Sequence, residues 1–89
     1  MKAIITVVGC DTVGILAKVS AVCAENNANI IDVTQSVLKD IFTMVMLVDI
    51  SDLTSDFAGL QNALYALGDK IGMKIHVMHE DIFHSMHHI

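Results

Sequence analysis

Apolar residues change their spacing along the chain, and the changes mark successive secondary-structure elements. Residues 2–8 are β-branched or apolar at nearly every position, which predicts a strand covered on at least one face. In residues 13–25 the apolar positions fall three and four apart, which predicts an amphipathic helix. Asn29–Leu38 and residues 41–50 return to strand character on either side of a turn at Lys39 and Asp40.

The second half of the chain repeats the plan of the first half. Apolar residues at helical steps predict a helix that starts at Thr54-Ser55-Asp56, with an acid in its first turn, and ends at Gly72. Residues 73–78 alternate as a strand, and residues 79–89 form a tail with helical spacing of apolar side chains. This order predicts one α+β domain over residues 1–89 with a ferredoxin-like βαββαβ layout. It comprises a four-stranded antiparallel sheet, two helices on one face and a short C-terminal helix.

The composition adds an expectation about assembly. Just over half of the residues, 54%, are apolar, and the strands are apolar on both sides although helices are predicted on only one face. Met44 and Met46 share one side of the third strand, where they serve packing or an adaptable subunit interface. We therefore expect a homodimer or a higher homo-oligomer.

Charge and cysteine content exclude several classes of protein. Ten acidic residues stand against five scattered lysines, so the net charge of −5 argues against nucleic-acid binding. No apolar run approaches the roughly 20 residues of a membrane span, so we expect a cytoplasmic protein without membrane contact. Cys10 and Cys23 fit neither a zinc ribbon nor a redox pair, and we expect two reduced thiols. Cys10 precedes a helix start, which favours a thiolate, but the neighbouring Asp11 opposes that shift and favours a passive thiol.

A family resemblance rests on two short motifs. After the first strand the chain reads Gly9-Cys10-Asp11-Thr12-Val13-Gly14-Ile15-Leu16, and about fifteen residues after Gly14 it reads Asn29-Ile30. An acid and a glycine three apart at a helix start, followed by Asn-Ile at the second strand, resemble the ACT domain family over essentially the whole chain. The family often has proline where this chain has Val13. The C-terminal sequence also resembles small single-ACT proteins of bacteria and archaea.

The resemblance implies a regulatory module that binds a small molecule, such as an amino acid, between subunits. The ligand-binding residues it implies are Asp11, Thr12, Val13, Gly14, Ile15 and Leu16 of one subunit with Asn29 and Ile30 of its neighbour. Gly14 lets a ligand approach the backbone, and free amides at the helix start attract a carboxylate. Asp11 can receive an ammonium group, and Asn29 can both donate and accept hydrogen bonds.

Simpler roles also fit these residues. Asp11 and Thr12 can cap the helix, Gly14 can allow a tight helix-to-sheet contact, and Asn29 can be a turn residue. The alternative function is a regulatory adaptor that binds a partner protein through its open sheet face without a small ligand. No catalytic motif and no cofactor motif is present, so we do not expect an enzyme.

The histidine-rich tail raises the question of a metal. On a helix, His84 shares a face with His87 or His88, and Glu80 lies one turn back. A solvated terminus accepts such residues freely, and no partner can be named that would orient the imidazoles. The tail therefore offers metal candidates, but we expect no physiological metal site.

Overall fold

The computed structural model describes residues 1–10 and 13–82, which form six principal elements in the predicted order. The strands are β1 (Lys2–Gly9), β2 (Asn29–Leu38), β3 (Ile41–Asp49) and β4 (Lys74–His79), and the helices are α1 (Ile15–Glu25) and α2 (Phe57–Ile71). Residues 80–82 are helical, and the rest of the predicted C-terminal helix lies outside the described residues. No helix in the described part is both long and apolar enough to cross a bilayer.

The sheet has the strand order β2-β3-β1-β4, and all its neighbouring strands are antiparallel. At the centre of the sheet, Ile5 of β1 is paired with Met46 of β3 and with Val77 of β4. The edges of the sheet are therefore β2 and β4. The predicted α+β, ferredoxin-like fold is confirmed.

The core lies between one face of the sheet and the two helices. Alternate strand residues point into it because successive side chains of a strand face opposite sides. Its buried strand residues include Ala3, Ile5, Val7, Met44, Met46, Val48, Ile75 and Val77, and its buried helix residues include Ile15, Val19, Cys23, Leu60 and Leu64. Met44 and Met46 are fully buried here, so they serve packing and are not available to a subunit interface.

Helix α2 ends at Gly72 as predicted, whereas Asp56 is the N-cap just before the helix rather than an acid within its first turn. The Asp56 carboxylate accepts a hydrogen bond from the Gly59 amide at 2.8 Å and so satisfies one free donor of the first turn. Gly72 follows the helix with φ 71°, in the left-handed region that residues with a Cβ adopt at a cost. An N-terminal cap and a C-terminal glycine fix both ends of the helix.

Strand β2 departs from simple alternation. Its register against β3 shifts between Ile30 and Asp32, where Ile31 forms an irregularity typical of a β-bulge. The shift places both Ile30 and Val33 against the core, although they are three residues apart, and leaves Ile31 47% exposed. Regular alternation along the strand would place Ile31 on the same side as Val33, and the bulge explains why it does not lie there.

Candidate functional site

The first half of the predicted ligand site lies in the turn before α1. Gly14 is the N-cap of the helix with φ 71° and ψ 9°, and as a glycine it has no side chain with which to cap the first turn. A Cβ added to Gly14 would meet only the Lys18 Cε, at 3.8 Å, so the surroundings of this glycine are open. The predicted tight helix-to-sheet contact is therefore not formed by Gly14 with the described residues. Asp11 and Thr12, including their capping role, lie outside the described residues.

The side chains after this turn divide between core and surface. Ile15 is 2% exposed and packs in the core, so only its backbone can face a ligand at the surface of the turn. Val13 is 77% exposed and Leu16 is 38% exposed. Together with the open Gly14, they form an apolar surface around the start of α1.

The second half of the predicted site lies at the other end of α1. Asn29 and Ile30 begin β2, beside a cavity of about 360 Å³ that α1 also lines through Ser20 and Ala24. An 11-residue helix is roughly 16 Å long, so Asn29 and Gly14 of one chain cannot contact the same small molecule. A ligand that touches both residues must therefore lie between two chains.

The turn before Asn29 is held by its own hydrogen bonds. The Asn26 side chain donates to the Val22 carbonyl at 2.9 Å, and the Asn27 side chain donates to the Asp52 carbonyl at 2.7 Å. Asn27 also takes a positive φ of 60°. Because Asn26 and Asn27 make this turn, Asn29 is an exposed strand residue rather than the turn residue of the simpler interpretation.

The outer edge of β2 is the longest exposed backbone edge in the described part of the chain. Most of its ten residues are exposed, including Val37 at 61% and Leu38 at 73%. The Val33 amide donates to the Asp32 carboxylate at 2.9 Å, so this amide points away from β3. By strand alternation the Gln35 and Val37 amides face the same free edge. An exposed, mostly uncharged edge of this length is a template for pairing with another strand.

The sheet face opposite the helices is also uncovered by the described residues. Its apolar members include Ile4, Val8, Val45, Leu47 and Met78. Val8 is 36% exposed and Val45 is 41% exposed, whereas their strand neighbours Val7 and Met46 are fully buried. Adjacent residues of one strand, such as Val7 and Val8, therefore lie on opposite faces of the sheet.

The two cysteines lie in contrasting surroundings, and both are free thiols. Cys10 is exposed directly after β1. Cys23 is buried on α1, and burial raises the pKa of its thiol to about 11 because a thiolate loses its solvation there. Cys23 is therefore an unreactive packing residue.

The histidines of the C-terminal tail bear on the question of a metal site. His84, His87 and His88 lie outside the described residues, so the expectation that they form no physiological site stays a prediction. Within residues 1–10 and 13–82, no group of three or more His, Cys, Asp or Glu side chains could hold a metal ion. His79 instead packs against Phe57 in an edge-to-face arrangement, with ring centroids 5.8 Å apart. Its Nδ1 lies 3.7 Å from a carboxylate oxygen of Asp81.

Two lysines near the predicted site were not predicted from the sequence to lie close together. Lys18 and Lys70 stand far apart in the sequence, but both line a groove between the start of α1 and the end of α2. The five lysines are thus not all scattered in space. The only signal in the sequence was that Lys18 follows Gly14 by one helical turn and that Lys70 lies in the last turn of its helix.

The fold and the exposed elements define a small ferredoxin-like module with no further domain in the described residues. Comparison with known proteins identifies its family. The ACT domain model matches residues 2–78, which is most of the chain, so the protein belongs to the ACT domain family. The resemblance in the sequence is confirmed, and ACT domains are regulatory modules that bind small ligands.

Relatives and solved structures agree with this assignment. A UPF0237 protein of Methanococcus maripaludis is 56% identical over 86 residues, covering 97% of this chain and 96% of the relative. The structure of an ACT domain protein from Streptococcus pneumoniae is 47% identical, covers 93% of each chain and superposes with a TM-score of 0.82. The regulatory subunit of aspartate kinase from Thermus flavus is 27% identical, with a TM-score of 0.63 over 86% of this chain and 50% of its own.

Proposed function

We propose that this protein is a cytoplasmic, non-catalytic regulatory module that binds a free amino acid at the interface of a homodimer. The observation that carries the proposal is the separation of the two site halves by the length of α1, combined with the exposed edge of β2. A ligand-binding ACT domain whose site halves lie this far apart needs a second copy to complete the site. The two free thiols suit a reducing compartment.

Antiparallel pairing of two β2 strands would bring the halves together. Val37 of β2 is paired with Phe42, and Phe42 is paired with Gly9, so the end of β2 lies level with the residues that lead into α1. In a two-fold dimer joined along β2, the first residues of one strand lie opposite the last residues of the other. Asn29 of the second copy then comes to the level of Gly14 of the first copy.

The residues at this junction suit the parts of an amino acid. The first amides of α1 lack intrahelical acceptors and attract a carboxylate, and the open Gly14 leaves room for its approach. The Asn29 side chain has donors and an acceptor for the polar groups of the ligand. The exposed side chains of Val13 and Leu16 offer apolar contact to the ligand side chain. Asp11 stays the predicted partner of the ammonium group.

A thermal-shift screen against the standard amino acids tests the proposal. A ligand at 100 times its dissociation constant adds about 2.7 kcal/mol to stability. In a domain of this size that corresponds to a rise in Tm of roughly 10 °C or more. If no amino acid raises the Tm, the proposed ligand class is wrong.

Variants locate the site once a ligand is identified. Gly14→Val is unsuitable because a β-branched residue is strained at φ 71°, whereas asparagine tolerates this region. Gly14→Asn should therefore weaken binding by adding a side chain at the site. Gly72→Asn is the matched control, since Gly72 has the same φ and nothing within 4 Å of an added Cβ. Equal binding by the two variants would contradict the placement.

A second pair of variants tests the part played by β2. Gln35→Pro removes an amide that faces the free edge, so it should prevent strand pairing between copies while keeping the β2–β3 ladder. Ser36→Pro is the contrast, because by alternation its amide faces β3 and its loss should destabilise the fold. The proposal predicts a folded monomer with lost ligand binding for Gln35→Pro. A dimer that still binds the ligand would refute the β2 interface.

The uncovered sheet face supports the alternative function, an adaptor that binds a partner protein without a small ligand. A hollow of about 200 Å³ on this face is lined partly by Ile4, Thr34, Val45 and Leu47, which gives an apolar partner a place to dock. The two functions separate in one comparison. An adaptor gains stability from its partner protein only, whereas the proposed module gains stability from an amino acid in the absence of any other protein.

A further inference from the structure

A groove between the two helices has the size and lining of a binding site. It measures about 360 Å³, within the range of roughly 300–1,000 Å³ that is usual for small-molecule sites. Four apolar residues and two lysines line it: Val13, Ile15, Leu67, Ile71, Lys18 and Lys70. All six belong to one chain, so the groove does not depend on a dimer.

The charge of the groove is opposite to the charge of the protein. The chain has a net charge of −5, yet two of its five lysines line this groove. Neither Lys18 nor Lys70 forms a salt bridge with any residue in the described stretches. The described lining also contains no acidic side chain. Two like charges beside one groove repel each other, and an anion bound between them is attracted by both.

The rest of the lining is suited to an apolar group. Leu67 and Ile71 are half-buried and pack against the core, while Val13 is largely exposed at the rim. Lysine side chains extend this surface, because their methylene stems lie along apolar neighbours while the ammonium groups stay in water. The groove thus combines an apolar floor with a positively charged margin.

We propose that the groove binds a small organic anion with an apolar body and no ammonium group, such as a branched-chain carboxylate. The two lysines would receive the carboxylate, and the side chains of Val13, Leu67 and Ile71 would contact the hydrocarbon. An amino acid should bind the groove more weakly because its ammonium group would be repelled by both lysines. This site goes beyond the amino-acid site at the subunit interface, since it is complete within one subunit.

An NMR titration of the full-length protein tests the groove with four probes of related shape. The probe is 4-methylpentanoate; leucine adds the ammonium, 4-methylpentanamide removes the charge, and inorganic phosphate removes the apolar body. We expect 4-methylpentanoate to shift the amide signals of Leu67 and Ile71, which lie outside the proposed amino-acid site, and to bind more tightly there than the other three. Equal affinity of leucine, the amide or phosphate at these signals would overturn the proposed selectivity.

Lysine variants make the assignment specific. Lys18→Gln and Lys70→Gln should each weaken 4-methylpentanoate binding about tenfold, the effect expected from losing one charge-assisted hydrogen bond. Lys2→Gln, at the far end of the sheet, is the control and should bind like the parent. Unchanged affinity in both groove variants would refute the site.

The Gln35→Pro variant separates this proposal from the dimer site. Because the groove uses one chain only, 4-methylpentanoate should bind Gln35→Pro as it binds the parent, even though the amino-acid site is lost. A parallel loss of both ligands would overturn the single-chain assignment. Failure of the amino-acid screen, by contrast, leaves the expected result of this titration unchanged.

Discussion

Aspartate substitutions at Val45 and Met46 should have very different effects although the two residues are adjacent. Met46 is fully buried beneath the helices, whereas Val45 is 41% exposed on the opposite face. Met46→Asp removes a buried side chain, at a cost of about 2–5 kcal/mol. It also buries a carboxyl without a partner, and a pKa raised by 3–5 units costs about 4 kcal/mol at pH 7, because the folded protein then carries the carboxyl largely protonated.

The sum is comparable with the entire stability of the domain. At about 0.05–0.15 kcal/mol per residue, 89 residues give a free energy of unfolding of about 4–13 kcal/mol. Met46→Asp should therefore be largely unfolded at pH 7. Val45→Asp loses only part of a valine's burial and some β propensity, which together cost about 1–2 kcal/mol, so it should stay folded.

Urea denaturation followed by circular dichroism measures both effects, with Met46→Leu as a conservative control expected to lose less than about 1.5 kcal/mol. The pH dependence of Met46→Asp gives a further check. The folded-state pKa of the introduced carboxyl is raised, so its charge penalty is absent below the unfolded pKa of about 3.9 and grows as the pH rises towards the folded value. A Val45→Asp protein as unstable as Met46→Asp would refute the assignment of faces.

Three further outcomes follow from the described surroundings and from the tail. Asp56→Ala should cost about 1 kcal/mol in urea denaturation because it removes the N-terminal cap of α2, and an unchanged midpoint would show that the cap contributes nothing. Ellman's reagent should modify Cys10 in the native protein but reach Cys23, with its thiol pKa of about 11, only after denaturation; two reactive thiols in the native state would contradict the buried position. Replacing His84 and His88 together by alanine should leave the Tm unchanged with and without a chelator, whereas a metal-dependent change would reveal a site in the tail.

The secondary structure could be predicted wherever local chemistry decides it. Helix α2 has a capping aspartate, apolar residues at helical steps and a terminal glycine, and all three act within a few residues of one another. The bulge at Ile31 was not predictable in this way, because it depends on the register between β2 and β3. The sequence likewise did not predict that Met46 faces the core, because this depends on which face of the sheet the helices cover.

In the candidate site, too, features with a local cause could be predicted from the sequence, whereas features that depend on distant parts of the chain could not. The turn at Gly14 could be predicted from the motif, since a glycine at a helix start has a local cause. The separation of Gly14 from Asn29 follows from the length of α1 and supports a site shared between two chains. Neither motif predicts how the two chains pair. Lys18 and Lys70 line the same groove only because α1 and α2 pack side by side, and no local pattern in the sequence indicates that they are close.

Complementation between two damaged chains tests the shared site most directly. Homodimers of Gly14→Asn and homodimers of Asn29→Ala should both bind the identified amino acid weakly, because each of their sites has one damaged half. In a mixed dimer with two-fold symmetry, one site carries both substitutions and the other carries none. Isothermal titration of an equal, fully exchanged mixture should therefore recover about one quarter of the parental sites at the parental affinity. If the mixture recovers no tight binding, the site does not lie between two subunits.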